Sequence, residues 1–161
     1  MAGKGASGDN MINKKITLKK LRRNKNFVPC TAEYNDELYP NGIFVFNITK
    51  ALAFIENNPE KIEMVRIKTS AFYSSPNINE SHLDTVDLKK PVLMAEISPI
   101  GDNLIDGHHR FEKAKRIGRK TLRAYRLRVN QHVKFLTSID AYNAYVDYWN
   151  GKVSEYSKRF K

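Results

Sequence analysis

The stretch between residues 91 and 118 constrains the fold most, because it describes a strand, a turn, a returning strand and a helix with almost no linker. The two strands are predicted at residues 91–97 and 104–106, with a turn at 99–103 between them. The apolar residues of the helix recur every three positions, at Phe111, Ala114 and Ile117. Gly118 stands where this helix is expected to end, and Gly107 stands directly before it begins.

The junction at Gly107 predicts an anion-binding site. A helix that begins directly after a strand leaves its first backbone N–H groups unpaired, and its dipole places partial positive charge there. Gly107 permits an unusual φ angle and close approach of a ligand. Arg110 adds a planar cation that can hold phosphate oxygens through two hydrogen bonds. We therefore predict a phosphate-binding set made of Gly107, His108, His109, Arg110 and Lys113.

Asp106, His108 and His109 are the candidate catalytic residues. A carboxylate beside phosphates repels them unless it accepts a proton from a substrate hydroxyl or holds a Mg²⁺ ion that bridges to the phosphates. The alternative for Asp106 is a helix N-cap. The adjacent histidines diverge by about 100° on a helix, so they do not chelate one zinc ion, and one of them is expected to face the phosphate. Glu96 or Asp84 is an option for a second carboxylate, without support from spacing.

Basic charge is concentrated in two stretches of the chain. The sequence has 161 residues, with 28 Lys and Arg against 17 Asp and Glu, and residues 1–30 contain eight of the basic residues and one acidic residue. Residues 110–128 contain nine basic residues, opposed only by Glu112. Both stretches fit a polyanionic partner, DNA or RNA, and both also fit a solvated basic face. The candidate nucleic-acid contacts are Arg116, Arg119, Lys120 and Arg123.

Several other classes of site lack their residues. The apolar stretches are too short to cross a bilayer, so no membrane partner is expected. Cys30 is the only cysteine, which excludes an internal disulfide and a cysteine zinc cluster and favours the cytoplasm. The sequence contains no P-loop, dinucleotide-binding or nucleophile-elbow motif. His82 and His132 have no neighbours that suggest chemistry, and we expect both at the surface.

The remaining elements complete one α+β domain, in which a small mixed sheet is flanked by helices. Further strands are predicted at residues 43–46, 63–67 and 121–127. Asn47 is the expected N-cap of a helix that ends near Asn57, and Ser138 is the expected cap of a last helix, residues 138–150, which Gly151 terminates. We divide the chain into a flexible basic leader, residues 1–26, and this domain, residues 27–161.

Two segments carry a resemblance to a known family: KPVLMAEI at residues 90–97, and NLIDGHHRFEKAKRIG at residues 103–118, with a strand following at 122–127. Together they resemble the ParB/sulfiredoxin superfamily over roughly residues 62–128. The DGHHR form at residues 106–110 is similar to that of ParB-like domains, including free serine kinases. The resemblance implies a ParB/sulfiredoxin-like domain whose loop and helix N-terminus hold nucleotide phosphates, those of CTP in partition proteins and of ATP or ADP in sulfiredoxins and serine kinases.

The differences from the family narrow the expected function. Sulfiredoxins have their catalytic cysteine directly after the motif glycine, where this chain has His108, so reductase chemistry is disfavoured. About 33 residues follow the last core strand and provide one helix, which disfavours the DNA-binding domain of partition proteins. We expect a domain that binds a nucleotide with Mg²⁺ and catalyses phosphoryl transfer or nucleotide hydrolysis. The alternatives are a DNA-binding protein or ParB-like nuclease of a plasmid or mobile element, and a domain that binds nucleotide without turnover.

Overall fold

The computed structural model describes residues 18–73 and 75–159, and their strands form two sheets. The strands are β1 (Leu38–Asn41), β2 (Phe44–Asn47), β3 (Glu63–Lys68), β4 (Val92–Ser98), β5 (Gly101–Asp106) and β6 (Thr121–Leu127). The helices are α1 (Ile48–Asn57), α2 (Glu80–Leu83), α3 (His108–Arg116), α4 (Val129–His132) and α5 (Ile139–Arg159), with 3-10 turns at Pro59–Lys61 and Val133–Phe135.

The larger sheet has four strands in the order β3–β6–β4–β5. Strand β4 runs parallel to β6, whereas the β3–β6 and β4–β5 pairs are antiparallel. Consecutive residues 92–95 of β4 are fully buried, so both faces of this strand are covered by other elements. The expected α+β fold, with a small mixed sheet flanked by helices, is therefore confirmed.

Different elements cover the two faces of the sheet. On one face, α3 packs Phe111 and Ala114 against residues of all four strands. On the other face, α1, α5 and the β1–β2 hairpin form a larger apolar cluster that includes the fully buried Tyr145. Because the sheet anchors Phe111, the first turn of α3 has a fixed position beyond the end of β5.

Local caps set the beginnings of two helices as the sequence predicts. The Asn47 side chain accepts a hydrogen bond from the Lys50 amide at 3.0 Å, which caps α1. The Ser138 hydroxyl accepts one from the Ala141 amide, also at 3.0 Å, at the start of α5. Helix α5 does not stop at Gly151, however, and continues to Arg159. The prediction of its end was wrong because the residues after Gly151 continue the buried face of the helix, at Val153 and Tyr156.

Two turns are tighter than the sequence indicates. Strand β5 begins at Gly101, which pairs with Ser98, so the predicted turn at residues 99–103 is confined to residues 99 and 100. The strand predicted at residues 43–46 lies at residues 44–47 and pairs with a strand at residues 38–41 that we did not predict, so the turn between them is confined to residues 42 and 43. Proline is tolerated in this strand because the hairpin has only two strands and both are edges.

The packed domain begins before residue 27. Leu18 and Leu21 contact the apolar cluster that α5 shares with the sheet, so residues 18–26 belong to the domain although we predicted a flexible leader there. The rest of that prediction, residues 1–17, lies outside the described residues. Within the described ranges, none of the helices combines the length and the apolarity that crossing a bilayer requires.

Candidate functional site

Gly107 forms the junction between β5 and α3. Its φ angle is +93°, in the left-handed region that favours glycine, and it occupies the N-cap position without any side-chain hydrogen bond to the helix. A Cβ atom at this position would lie 2.7 Å from Val92 Cγ1 and 2.9 Å from Arg110 Nη2. Both the backbone conformation and the surrounding side chains therefore require glycine here.

The first turn of α3 leaves backbone donors unused. The Phe111 amide donates to the Gly107 carbonyl at 2.9 Å, which is the first hydrogen bond of the helix. The three preceding amides, those of His108, His109 and Arg110, have no acceptor among the residues that the structure describes. Unpaired N–H groups at the positive end of a helix dipole form an anion-binding site. The predicted geometry at Gly107 is present.

The Arg110 guanidinium lies over this turn and is held by two acceptors. Its Nη2 atom is 3.3 Å from Asp106 Oδ2 and 3.3 Å from the Pro91 carbonyl oxygen. Its Nε atom is buried and has no hydrogen-bond partner in the described chain. Asp106 consequently pairs with Arg110 and does not cap α3, so the alternative of an N-cap at Asp106 was wrong. The second acceptor explains why the arginine is held close to the sheet.

Glu37 lies directly before β1 with an exposed side chain, near enough to Asp106 and Arg110 for their charges to act on its carboxylate. Burial raises the pKa of Glu37, the Asp106 carboxylate raises it further, and the Arg110 guanidinium partly opposes both effects. The backbone of Glu37 is fixed, since its amide donates to Thr49 Oγ1 at 2.7 Å and its carbonyl accepts from the Ile48 amide at 2.8 Å. No local sequence signal identifies Glu37, because its position depends on how the hairpin packs beside α3.

The two residues proposed for a second carboxylate lie elsewhere. Glu96 contacts Arg126 and Arg128, in the middle of β4 and away from its Val92 end. Asp84 is exposed at the C-terminal end of α2. The structure therefore brings neither Glu96 nor Asp84 to Asp106, and it places Glu37 there instead.

His108 faces the hairpin side of the site. Its ring stacks on Tyr39, with 5.9 Å between ring centroids and an angle of 14° between the planes. Burial lowers the pKa of His108, and His109 adds to this effect, while Asp106 and the Leu104 carbonyl act in the opposite direction. His108 therefore favours the neutral imidazole over the cation. Tyr39, like Glu37, was not identified from the sequence.

The side chains of His109 and Lys113 turn toward the α2 side of the helix. His109 Nε2 accepts a hydrogen bond from the Asn79 amide at 3.0 Å, and its ring contacts that of His82 at 4.7 Å between centroids. Lys113 Nζ donates to the Val86 carbonyl at 3.2 Å. The side chains of both residues are thus used to hold residues 79–86, and only the backbone amide of His109 remains available to an anion.

The predicted nucleic-acid residues divide into two pairs. Arg116 makes ion pairs with Glu80 at 2.5 Å and Glu112 at 2.7 Å, and Arg123 donates to the Lys89 carbonyl at 2.7 Å. The exposed side chains of Arg119 and Lys120 have no partner in the described part of the chain. The run at residues 110–128 is therefore not one continuous free surface.

Two polar residues, Arg126 and His132, have buried side chains. Arg126 is 4% exposed and donates from Nε to Asp102 at 2.7 Å, with Glu63 and Glu96 also close. His132 is fully buried, and its Nε2 atom lies 2.6 Å from the Glu96 carbonyl oxygen. The prediction of His132 at the surface was wrong, because α4 turns its side chain into the apolar cluster between Phe46 and Tyr145.

The carboxylates at the α3 N-terminus have donors suited to Mg²⁺. This ion typically takes one or two protein carboxylates together with substrate phosphates. Asp106, predicted as the magnesium ligand, and Glu37 provide such a pair. Searched over residues 18–73 and 75–159, the chain has no group of three or more His, Cys, Asp or Glu side chains able to hold a metal without a ligand's help.

Comparisons of this chain with protein-family models, with curated proteins and with solved structures found no match. The resemblance to the ParB/sulfiredoxin superfamily therefore stays a prediction that rests on the sequence motif.

Proposed function

We propose that this protein binds the phosphates of a nucleotide, ATP, ADP or CTP, at the N-terminus of α3. One observation carries the proposal: the amides of His108, His109 and Arg110 have no acceptor within residues 18–73 and 75–159, and the Arg110 guanidinium lies beside them. Backbone donors, a helix dipole and an arginine converge on one point, which is the arrangement that phosphate recognition requires. The resemblance to nucleotide-binding domains supports the same conclusion.

The carboxylates make the binding dependent on Mg²⁺. Asp106 and Glu37 oppose the charge of Arg110, so the bare site repels a triphosphate more than an arginine and a helix terminus alone would. A Mg²⁺ ion chelated by the phosphates would be held by Asp106 and Glu37 and would convert this repulsion into attraction. Metal and nucleotide are therefore expected to bind together.

The second part of the proposal is that the site catalyses phosphoryl transfer or nucleotide hydrolysis. Magnesium bound there would neutralise charge on a transferred phosphoryl group. If the ion took one oxygen of each carboxylate, the second oxygen of Asp106 or of Glu37 would be left to accept a proton from an attacking hydroxyl or water. His108 offers its backbone amide to a phosphate oxygen, because the Leu104 carbonyl engages the single N–H of the neutral imidazole. These assignments support a phosphotransferase or a nucleotide hydrolase.

A thermal-shift panel tests the proposal. ATP, ADP and CTP are added with and without Mg²⁺ to the native protein, to Arg110→Ala and to Arg119→Ala, a matched control whose exposed side chain has no described partner. A ligand at 100 times its Kd stabilises the folded state by about 2.7 kcal/mol, which raises Tm by several degrees. We expect this shift in the native protein and the control but not in Arg110→Ala. An equal shift in all three proteins, or none in any, contradicts the proposal.

A further inference from the structure

The segment of residues 18–27, which we call the N-terminal strap, is fixed along α5 by its backbone. The Leu21 amide donates to Asn150 Oδ1 at 2.7 Å, and Asn150 Nδ2 donates back to the Leu21 carbonyl at 3.2 Å. Trp149 Nε1 donates to the Lys19 carbonyl at 2.9 Å. The Asn24 amide donates to the Tyr142 hydroxyl at 2.8 Å, so the strap runs antiparallel to α5.

The strap turns its apolar side chains inward at a regular spacing. Leu18, Leu21 and Phe27 pack on the apolar cluster, and the ring of Phe27 stacks on Tyr142 at 4.0 Å between centroids. Every third residue of the strap therefore contacts the rest of the domain: Leu18, Leu21 and Phe27 do so through their side chains, and Asn24 does so through its amide. The positions between them face solvent.

The outward positions carry basic side chains. Lys19, Arg22 and Lys25 are exposed and share the three-residue spacing, and Lys20 is exposed beside them. An extended chain advances about 3.1–3.3 Å per residue, so about 10 Å separates Lys19 from Arg22. Lys25 lies in a turn that the Phe27 amide closes by donating to the Asn24 carbonyl. Across the described ranges, no acidic side chain pairs with any of the four. Arg23 differs, because Asp147 and Asn143 bind its guanidinium.

We propose that the N-terminal strap is a nucleic-acid-binding surface that contacts the phosphodiester backbone of DNA or RNA. A row of free cations on a fixed backbone gains affinity by releasing counterions from a polyanion. Since the main chain is already tied to α5, little ordering entropy opposes that gain. The surface is separate from the α3 N-terminus and does not depend on the nucleotide site.

The composition of the strap favours nucleic acid over other anionic partners. Protein interfaces are depleted in lysine and centre on buried aromatic or apolar anchors, whereas the outward positions here are basic. A membrane-surface segment presents apolar side chains to the lipid, but Leu18 and Leu21 face the protein. The strap also differs from the run at residues 110–128, where Arg116 and Arg123 are occupied by the protein's own groups.

A salt titration of binding tests the proposal on the full chain. Mixed-sequence duplex DNA, single-stranded DNA and single-stranded RNA of 30 nucleotides are labelled, and affinity is followed by fluorescence anisotropy from low to moderate salt. The strap variant is Lys19→Gln/Arg22→Gln/Lys25→Gln. The matched control, Lys61→Gln/Lys89→Gln/Lys90→Gln, removes the same charge from exposed positions outside the strap and outside the run at residues 110–128. Anionic phosphatidylserine vesicles are titrated in parallel.

The loss of three phosphate contacts should change the salt dependence of nucleic-acid binding by a predictable amount. The slope of log K against log salt should decrease in magnitude by about 3 for duplex DNA and about 2 for single strands in the strap variant, with affinity at least about tenfold weaker at low salt. The control variant should lose much less affinity for nucleic acid than the strap variant does. Arg110→Ala should bind nucleic acid as tightly as the native protein does. Equal losses in both triple variants, binding to vesicles but to no nucleic acid, or no binding by the native protein would each overturn the proposal.

Discussion

Arg110 reaches back across the first turn of α3 and pairs with Asp106, the last residue of β5, at 3.3 Å. The pair joins the sheet to the helix over Gly107, and both side chains are mostly buried. The pair keeps a guanidinium beside three backbone amides that have no acceptor in the part of the chain that the structure describes. A preformed arrangement of this kind lowers the entropic cost of binding an anion.

Gly107→Ala should destabilise the fold more than Gly118→Ala does. Both glycines have positive φ angles, +93° and +85°, but only a Cβ at Gly107 meets another side chain, Val92 Cγ1 at 2.7 Å. Strained backbone and overpacking together cost about 2–4 kcal/mol at Gly107, against about 1 kcal/mol for the backbone alone at Gly118. Urea unfolding measures both values, and equal losses would mean that α3 does not lie close to β4 there.

Asp106→Asn and Glu37→Gln should change nucleotide affinity in opposite directions with and without Mg²⁺. Removing a negative charge weakens the repulsion of bare phosphates, so affinity without metal should rise by about fivefold or more. The same change removes a metal ligand, so affinity with Mg²⁺ should fall. Isothermal titration calorimetry gives both numbers, with exposed Asp84→Asn as the control. If nucleotide affinity changed in the same direction with and without Mg²⁺, the carboxylates would not bind the metal.

His132 should make the protein less stable in acid. Burial lowers its pKa to about 4, against an ordinary value near 6.5, and its Nδ1 atom has no hydrogen-bond partner in the described chain. Between these values the unfolded chain binds more protons, so this group's contribution to stability falls as pH drops from about 6.5 and is lost below about 4. The loss approaches about 3 kcal/mol.

An NMR titration measures the His132 effect directly. The imidazole signals of His132 should stay in the neutral form down to about pH 4. A His132 signal that titrates near the ordinary histidine value of about 6.5 would place its side chain in water and contradict the fold of α4.

Asp102→Ala should be strongly destabilising. Asp102 is the nearest partner of Arg126, whose side chain is 4% exposed, and its loss leaves a buried guanidinium with weaker compensation from Glu63 and Glu96. Breaking a buried pair from one side costs about 3 kcal/mol or more, whereas Asp147→Ala, at an exposed pair with Arg23, should have little effect. Similar unfolding midpoints for the two variants would argue against a buried network.

Local chemistry explains what the sequence could predict. Asn47 and Ser138 cap helices through hydrogen bonds to amides three residues away, and Gly107 adopts a conformation that other residues avoid. These signals need only neighbouring residues, so the elements around them were placed correctly. The strand-to-helix junction at residues 106–110 belongs to this group.

Contacts between distant segments explain what the sequence could not predict. Glu37 and Tyr39 reach the α3 N-terminus only because the β1–β2 hairpin packs beside it. The continuation of α5 beyond Gly151 likewise depends on tertiary burial of Val153 and Tyr156, which offsets a helix-propensity cost of about 1 kcal/mol for the glycine. Periodicity and caps do not contain this information.

The most direct measurement of the central claim is an NMR titration of ¹⁵N-labelled protein with ATP, ADP or CTP in the presence of Mg²⁺. The account predicts that the backbone amides of His108, His109 and Arg110 shift most, because they donate to the phosphates, and that Arg110→Ala suppresses these shifts. The account would be contradicted if saturating nucleotide left the signals of these three amides unchanged, or if the largest signal changes came from another surface.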